Sequence, residues 1–69
     1  MSNSNERVSI AHRIFVLFCI GQLPQEVEVN DIDDAHTSIM GFFRKWGVSN
    51  SIGVSKDPDK NSLWFYKRK

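Results

Sequence analysis

Apolar positions along this chain keep first a helical and then an alternating rhythm. From about Glu6 to Gly21, Ile10, Ile14, Leu17 and Phe18 form one stripe at helical spacing, widened by Val8, Ala11, Phe15 and Cys19. Val16 and Ile20 extend it further. The second half of this predicted helix is therefore apolar almost all round, as suits a helix central to the core or one that meets a partner. Gly21 is a fitting stop, and Pro24 bars easy continuation. In the following "QEVEVND", Val27 and Val29 alternate with Glu26 and Glu28. That is the period of a half-buried strand, short enough to be an edge or minor one. Pro24 also suits the first position of a short helix, so a helix over this stretch stays open beside the strand.

The stretch "DDAHTSIMGFFRKWG" carries the clearest helix. Ile32, Ala35, Ile39, Phe42 and Trp46 make one continuous stripe. Asn30, Asp31 and Asp33 are N-cap candidates, acids lead, Arg44 and Lys45 close the last turn, and Gly47 suits the residue after the cap. Beyond it, "SIGVS" and "SLWFYK" alternate as strands around "KDPDKN", whose Pro and Asp are turn chemistry. Ile52 and Val54 share one face of the first strand. Leu63 and Phe65 share a face of the second, with Trp64 and Tyr66 on the other. The prediction is an α+β fold: two or three helices packed on a small antiparallel sheet that ends in a β-hairpin.

Gly41 does not fit the pattern of its own helix. On a wheel of about 100° per residue, the apolar arc holds Ile32, Ala35, Ile39, Phe42, Phe43 and Trp46. The opposite arc holds Asp34, Thr37, Ser38, Gly41, Arg44 and Lys45. An exposed glycine inside a helix costs about 1 kcal/mol relative to alanine. Close approach of a partner's backbone would offset that, and so would close packing against the first helix or a loop.

Size and charge narrow the picture. Sixty-nine residues, 41% of them hydrophobic, make one small domain over 1–69, with the polar start "MSNSN" expected to fray. Stability in so short a chain can draw on a partner or on dimerisation. One cysteine cannot form an internal disulfide, which favours a cytoplasmic setting. The run "IFVLFCI" is too short to cross a bilayer, and its polar flank is wrong for a signal peptide, so no membrane association is expected. The net charge of +1 hides a division. Residues 1–43 hold two bases and six acids, and residues 44–69 hold seven bases and two acids. Such segregation marks an electrostatic footprint in the last third, although terminal lysines also serve solubility.

Helix, short strand, helix ending "RKWGV", then a hairpin with a polar basic tip resembles a winged helix domain over roughly residues 8–67. The family's separate helix ahead of the recognition helix would have only "LPQEVEVND" to occupy here. The resemblance implies a small cytoplasmic transcriptional regulator that binds double-stranded DNA, as a monomer or a homodimer. It implies that Thr37, Ser38, Gly41, Arg44 and Lys45 face the groove or its phosphates. Lys56 and Lys60 would form the wing, and Lys67, Arg68 and Lys69 would follow the backbone.

Catalytic chemistry is not expected. His12, His36 and Cys19 lack the paired spacing of a zinc site, and Cys19 reads as a core filler. "SIGVSKD" lacks the spacing of a phosphate loop. Neither an enzyme nor a cofactor is predicted. The rival function is a protein-binding module or inhibitor on the same scaffold. Its partner would meet Val16 and Ile20, or Trp64 and Tyr66 with the basic tail. The acids between residues 26 and 34 fit that reading better than they fit DNA.

Overall fold

A computed structural model of the chain describes residues 3–68, with side chains from Glu6 to Arg68. Met1, Ser2 and Lys69, and the side chains of residues 3–5, lie outside that range. Of the start expected to fray, Met1 and Ser2 fall beyond the description, and the backbone of residues 3–5 belongs to the first helix. The elements are α1 (Asn3–Cys19), β1 (Gln25–Glu28), α2 (Ile32–Lys45), β2 (Ile52–Asp57) and β3 (Ser62–Lys67). The stretch after Pro24 is a strand, and no helix lies between α1 and α2.

Both helices stop by the same device. Gly21 and Gly47 adopt φ of 74° and 77°, the left-handed region that glycine enters without a Cβ penalty. After α1, the Gly21 N–H donates to Phe18 O at 3.2 Å and the Gln22 N–H to Leu17 O at 2.8 Å. After α2, the Gly47 N–H donates to Arg44 O at 3.1 Å and the Val48 N–H to Phe43 O at 2.9 Å. Each pair is a Schellman closure, which satisfies carbonyls the helix end would otherwise leave free. At the other end of α2, the Asp31 carboxylate accepts from the Asp34 N–H at 3.2 Å and caps the helix.

The sheet is antiparallel with strand order β1-β3-β2, so β3 is central and β1 is a short edge strand. The register sets Val27 opposite Leu63, Val54 opposite Phe65, and Ile52 opposite Lys67. Leu63 and Phe65 point into the core, while Trp64 and Tyr66 stand on the other face and are exposed. Pro58 follows Asp57 in the hairpin turn, which the Lys60 N–H closes on Asp57 O at 3.2 Å.

The core gathers Ala11 and Ile14 of α1, Ala35, Ile39 and Phe43 of α2, and Ile52, Leu63 and Phe65 of the sheet. Phe43 meets Phe65 edge to face, with ring centroids 6.2 Å apart. Phe15 of α1 and Phe42 of α2 both pack on Trp46 at the C-cap of α2. Phe43, at the margin of the sequence stripe, is the fully buried member, and Phe42 is only half-buried.

Cys19 is a correction. It is exposed and not a core filler. The deepest line of α1 is Arg7, Ala11 and Ile14, which turns Val16, Cys19 and Ile20 outward at the helix's end. No helix among the described residues is long and apolar enough to cross a membrane.

Candidate nucleic-acid interface

Chain direction turns the charge division of the sequence into two ends of the molecule. The first turn of α2 lies beside the hairpin: Lys56 Nζ donates to Asp33 Oδ1 at 3.0 Å. From there α2 runs to Arg44 and Lys45, and residues 46–51 lead into Ile52. Ile52 is paired with Lys67, and the Arg68 N–H donates to Ser51 O at 2.8 Å. Arg44, Lys45, Lys67 and Arg68 therefore share one end of the fold, and all four are exposed.

The opposite end is acidic. Glu28 is opposite Ser62, and Ser62 is opposite Asp57. Asp31, Asp33 and Asp34 begin α2 there. Glu6, Glu28 and Lys60 line one concavity of about 370 Å³ at this end. Lys56 and Lys60 thus sit among carboxylates, and Lys56 pairs with Asp33 at the surface. The candidate residues split accordingly. Arg44, Lys45, Lys67 and Arg68 fall at one end, Lys56 and Lys60 at the other, and Lys69 lies outside the described residues.

Between the two ends runs the outer surface of α2. Thr37 and Gly41 are exposed and Ser38 is half-buried. A Cβ built on Gly41 would meet nothing within 4 Å, so close internal packing does not explain this glycine. Gly41 instead opens a concavity of about 280 Å³ between the helices, lined by Arg7, Ser38, Gly41, Phe42 and Lys45.

Arg7 was invisible as a site residue in the sequence, where it counts only as one base in a polar start. It is 1% exposed, which is unusual for arginine. Its Nη1 donates to Glu6 Oε1 at 3.5 Å and its Nη2 to Asp34 Oδ2 at 3.4 Å. Both contacts are long beside the usual ~2.7–2.9 Å of a charged pair. Its Nε is buried with no partner. The only hint in the sequence is its spacing, four residues before Ala11 and seven before Ile14, in line with the core stripe.

The rival surface lies elsewhere. Trp64 is 43% and Ile20 61% exposed. Tyr66 and Trp64 stand on the sheet face that carries no helix, flanked by Gly53 and Ser55 of β2. Glu26 of β1 accepts a hydrogen bond from the Ser62 hydroxyl at 2.7 Å on that same face. Val16 lies near the end of α1 and Ile20 in the turn just past it. The two aromatics thus belong to the sheet and the two aliphatics to the end of the first helix.

Comparison with protein-family models, with curated proteins and with solved structures gave no match. The geometry alone carries the functional reading.

Proposed function

We propose that this chain binds double-stranded DNA as a small, non-enzymatic transcriptional regulator on a winged-helix-like layout. The observation that carries the reading is the gathering of Arg44, Lys45, Lys67 and Arg68 at one end, beside the small outer surface of α2. Four cations within one patch suit a phosphate backbone, and release of condensed counterions supplies the affinity. Thr37 and Gly41 let a groove wall or a backbone come close. The carboxylates at the far end are repelled by DNA and so orient the molecule with its basic end forward.

The layout departs from the winged helix in one respect. With no helix between α1 and α2, α2 is presented without the usual supporting partner. In this reading α1 takes that role through the Phe15–Trp46 contact. The hairpin tip, with Asp57 and Asp59 beside Lys60, is a minor contributor.

The test is titration with a mixed-sequence duplex at low and at physiological salt, alongside an Arg44→Ala/Lys45→Ala variant. The reading expects steep salt dependence whose slope falls by roughly 0.9 for each lost phosphate contact. Absence of binding even at low salt sinks it.

One observation favours a protein partner instead. Trp64 and Tyr66 leave an aromatic surface on a bare sheet face, and aromatic residues are what interface centres favour. A second copy of the chain is one candidate partner, and sedimentation at rising concentration tests it. Under this reading Trp64→Ala abolishes association and the Arg44→Ala/Lys45→Ala change does not.

A further inference from the structure

We propose that the concavity between α1 and α2 is a seat for a single phosphate group, with Arg7 as its buried anchor. As a backbone contact this rests on the DNA reading above. As a binding site for the oxyanion it stands on its own geometry.

Three observations meet there. The first is space. Gly41 leaves the concavity open where any side chain would begin to fill it, and Phe42 forms its apolar wall. The second is donors. Lys45 supplies an exposed ammonium, and Ser38, one turn before Phe42, supplies a hydroxyl. The third is the state of Arg7. Its guanidinium is taken out of water, yet it makes only two long contacts and leaves Nε without an acceptor. A buried donor left unmade is costly, so this group gains more from an incoming acceptor than a solvated arginine would.

The carboxylates nearby are what a phosphate must displace. Asp34 and Glu6 hold Arg7 at 3.4 and 3.5 Å, and their side chains are 54% and 52% exposed. Both carboxylates are half-exposed and turn into water only as the phosphate takes their place, so that the buried guanidinium is never left unpaired. A phosphate that draws the guanidinium into the concavity would replace them with a bidentate pair, the geometry in which arginine recognises tetrahedral oxyanions best. Lys45 then neutralises the second charge. The seat takes one phosphate, and the apolar wall of Phe42 excludes water from one side of it.

The test follows the Arg7 Nε–H resonance by NMR, since a buried N–H exchanges slowly with water. Inorganic phosphate is titrated first and a short DNA duplex second, on the wild-type chain and on Gly41→Leu, which fills the space without changing charge. Lys45→Gln, which removes the exposed charge and leaves the core untouched, is the second variant. The proposal expects phosphate to move the Arg7 resonance saturably. It expects Gly41→Leu and Lys45→Gln each to weaken that binding about tenfold or more.

A duplex that moves the same resonance identifies the source as the nucleic-acid backbone. A shift with phosphate but no response to DNA supports the seat as a small-molecule site and counts against the DNA reading. DNA binding that leaves Arg7 unmoved and is unchanged in Gly41→Leu overturns the seat as a backbone contact and leaves the DNA reading standing. An Arg7 resonance unmoved by phosphate and by DNA overturns the seat.

Discussion

The ring of Tyr66 lies across Gly53, its partner in the β2–β3 ladder, in the space that a Cβ at position 53 would need. A built Cβ would collide with ring carbons and come within 2.7 Å of the phenol oxygen. The aromatic covers the glycine's bare backbone, which a strand interior otherwise leaves poorly packed. Gly53→Ala is expected to push the ring outward at a cost of no more than about 1 kcal/mol, because the displaced atoms are the far end of an exposed side chain. Urea unfolding measures it. In a double-mutant cycle with Tyr66→Ala, much of that cost should vanish, because the two side chains compete for one space.

Gly41 predicts the opposite sign. With open space around it and an ordinary helical backbone, Gly41→Ala should stabilise the fold by about 0.8–1.0 kcal/mol. In a domain this small that raises Tm by roughly 4–8 °C per kcal/mol. Thermal unfolding by circular dichroism decides the point. A destabilised Gly41→Ala would mean that α2 packs differently from this structure.

Arg7 should respond to volume more than to charge. Arg7→Ala removes a fully buried stem and is expected to cost about 2–4 kcal/mol, in the range of large core truncations. Arg7→Met keeps most of the stem and removes the unpartnered Nε. Replacing a buried ionic group by an apolar one is often neutral or stabilising, so this variant should fall within about 1 kcal/mol of the parent. Denaturant midpoints of the pair separate the two effects. If both variants lose stability equally, the contacts to Asp34 and Glu6 matter more than their length suggests.

Gly47 closes α2 in the left-handed region, and its replacement tests that closure. Gly47→Ala meets no neighbouring atom, so any loss comes from the backbone alone. About 1–2 kcal/mol is expected from that strain. Gly41→Ala and Gly47→Ala, two glycine-to-alanine changes six residues apart, should therefore shift Tm in opposite directions.

Position in the fold also ranks the cations. Lys56 is tied to Asp33, and Lys60 shares a concavity with Glu6 and Glu28. If the chain binds DNA, Lys56→Gln/Lys60→Gln should lower affinity less than Arg44→Ala/Lys45→Ala. Electrophoretic mobility shift at one fixed salt concentration compares them. An equal loss would bring the hairpin back as a true wing.

Much of the fold was legible from local rules. Helical spacing marked both helices, and alternation in "QEVEV" and "SLWFYK" marked strands whose buried and exposed faces came out as read. Gly21, Gly47 and Asp31 end or begin helices because their chemistry acts within one turn of the chain. Pro58 and the aspartates beside it turn the hairpin for the same reason. These features depend on neighbours a few residues away, and the sequence alone contains them.

The site was less legible, because its contacts join distant positions. Periodicity shows that a helix has an apolar side but not which line along it is deepest. Arg7 lies on that line because Asp34, 27 residues on, is where its guanidinium ends. Cys19 lies off it because the last turn of α1 faces outward. Charge behaved the same way. The basic third of the sequence does not form one basic face, since the hairpin carries Lys56 and Lys60 to the acidic end and returns Lys67 and Arg68 to the other. Sequence by itself determined the two helices, their glycine stops and the hairpin, and left the stretch after Pro24 open between strand and helix. Only tertiary structure decided which charges meet, since opposite ends of an antiparallel hairpin lie far apart in space even when they are close in the chain.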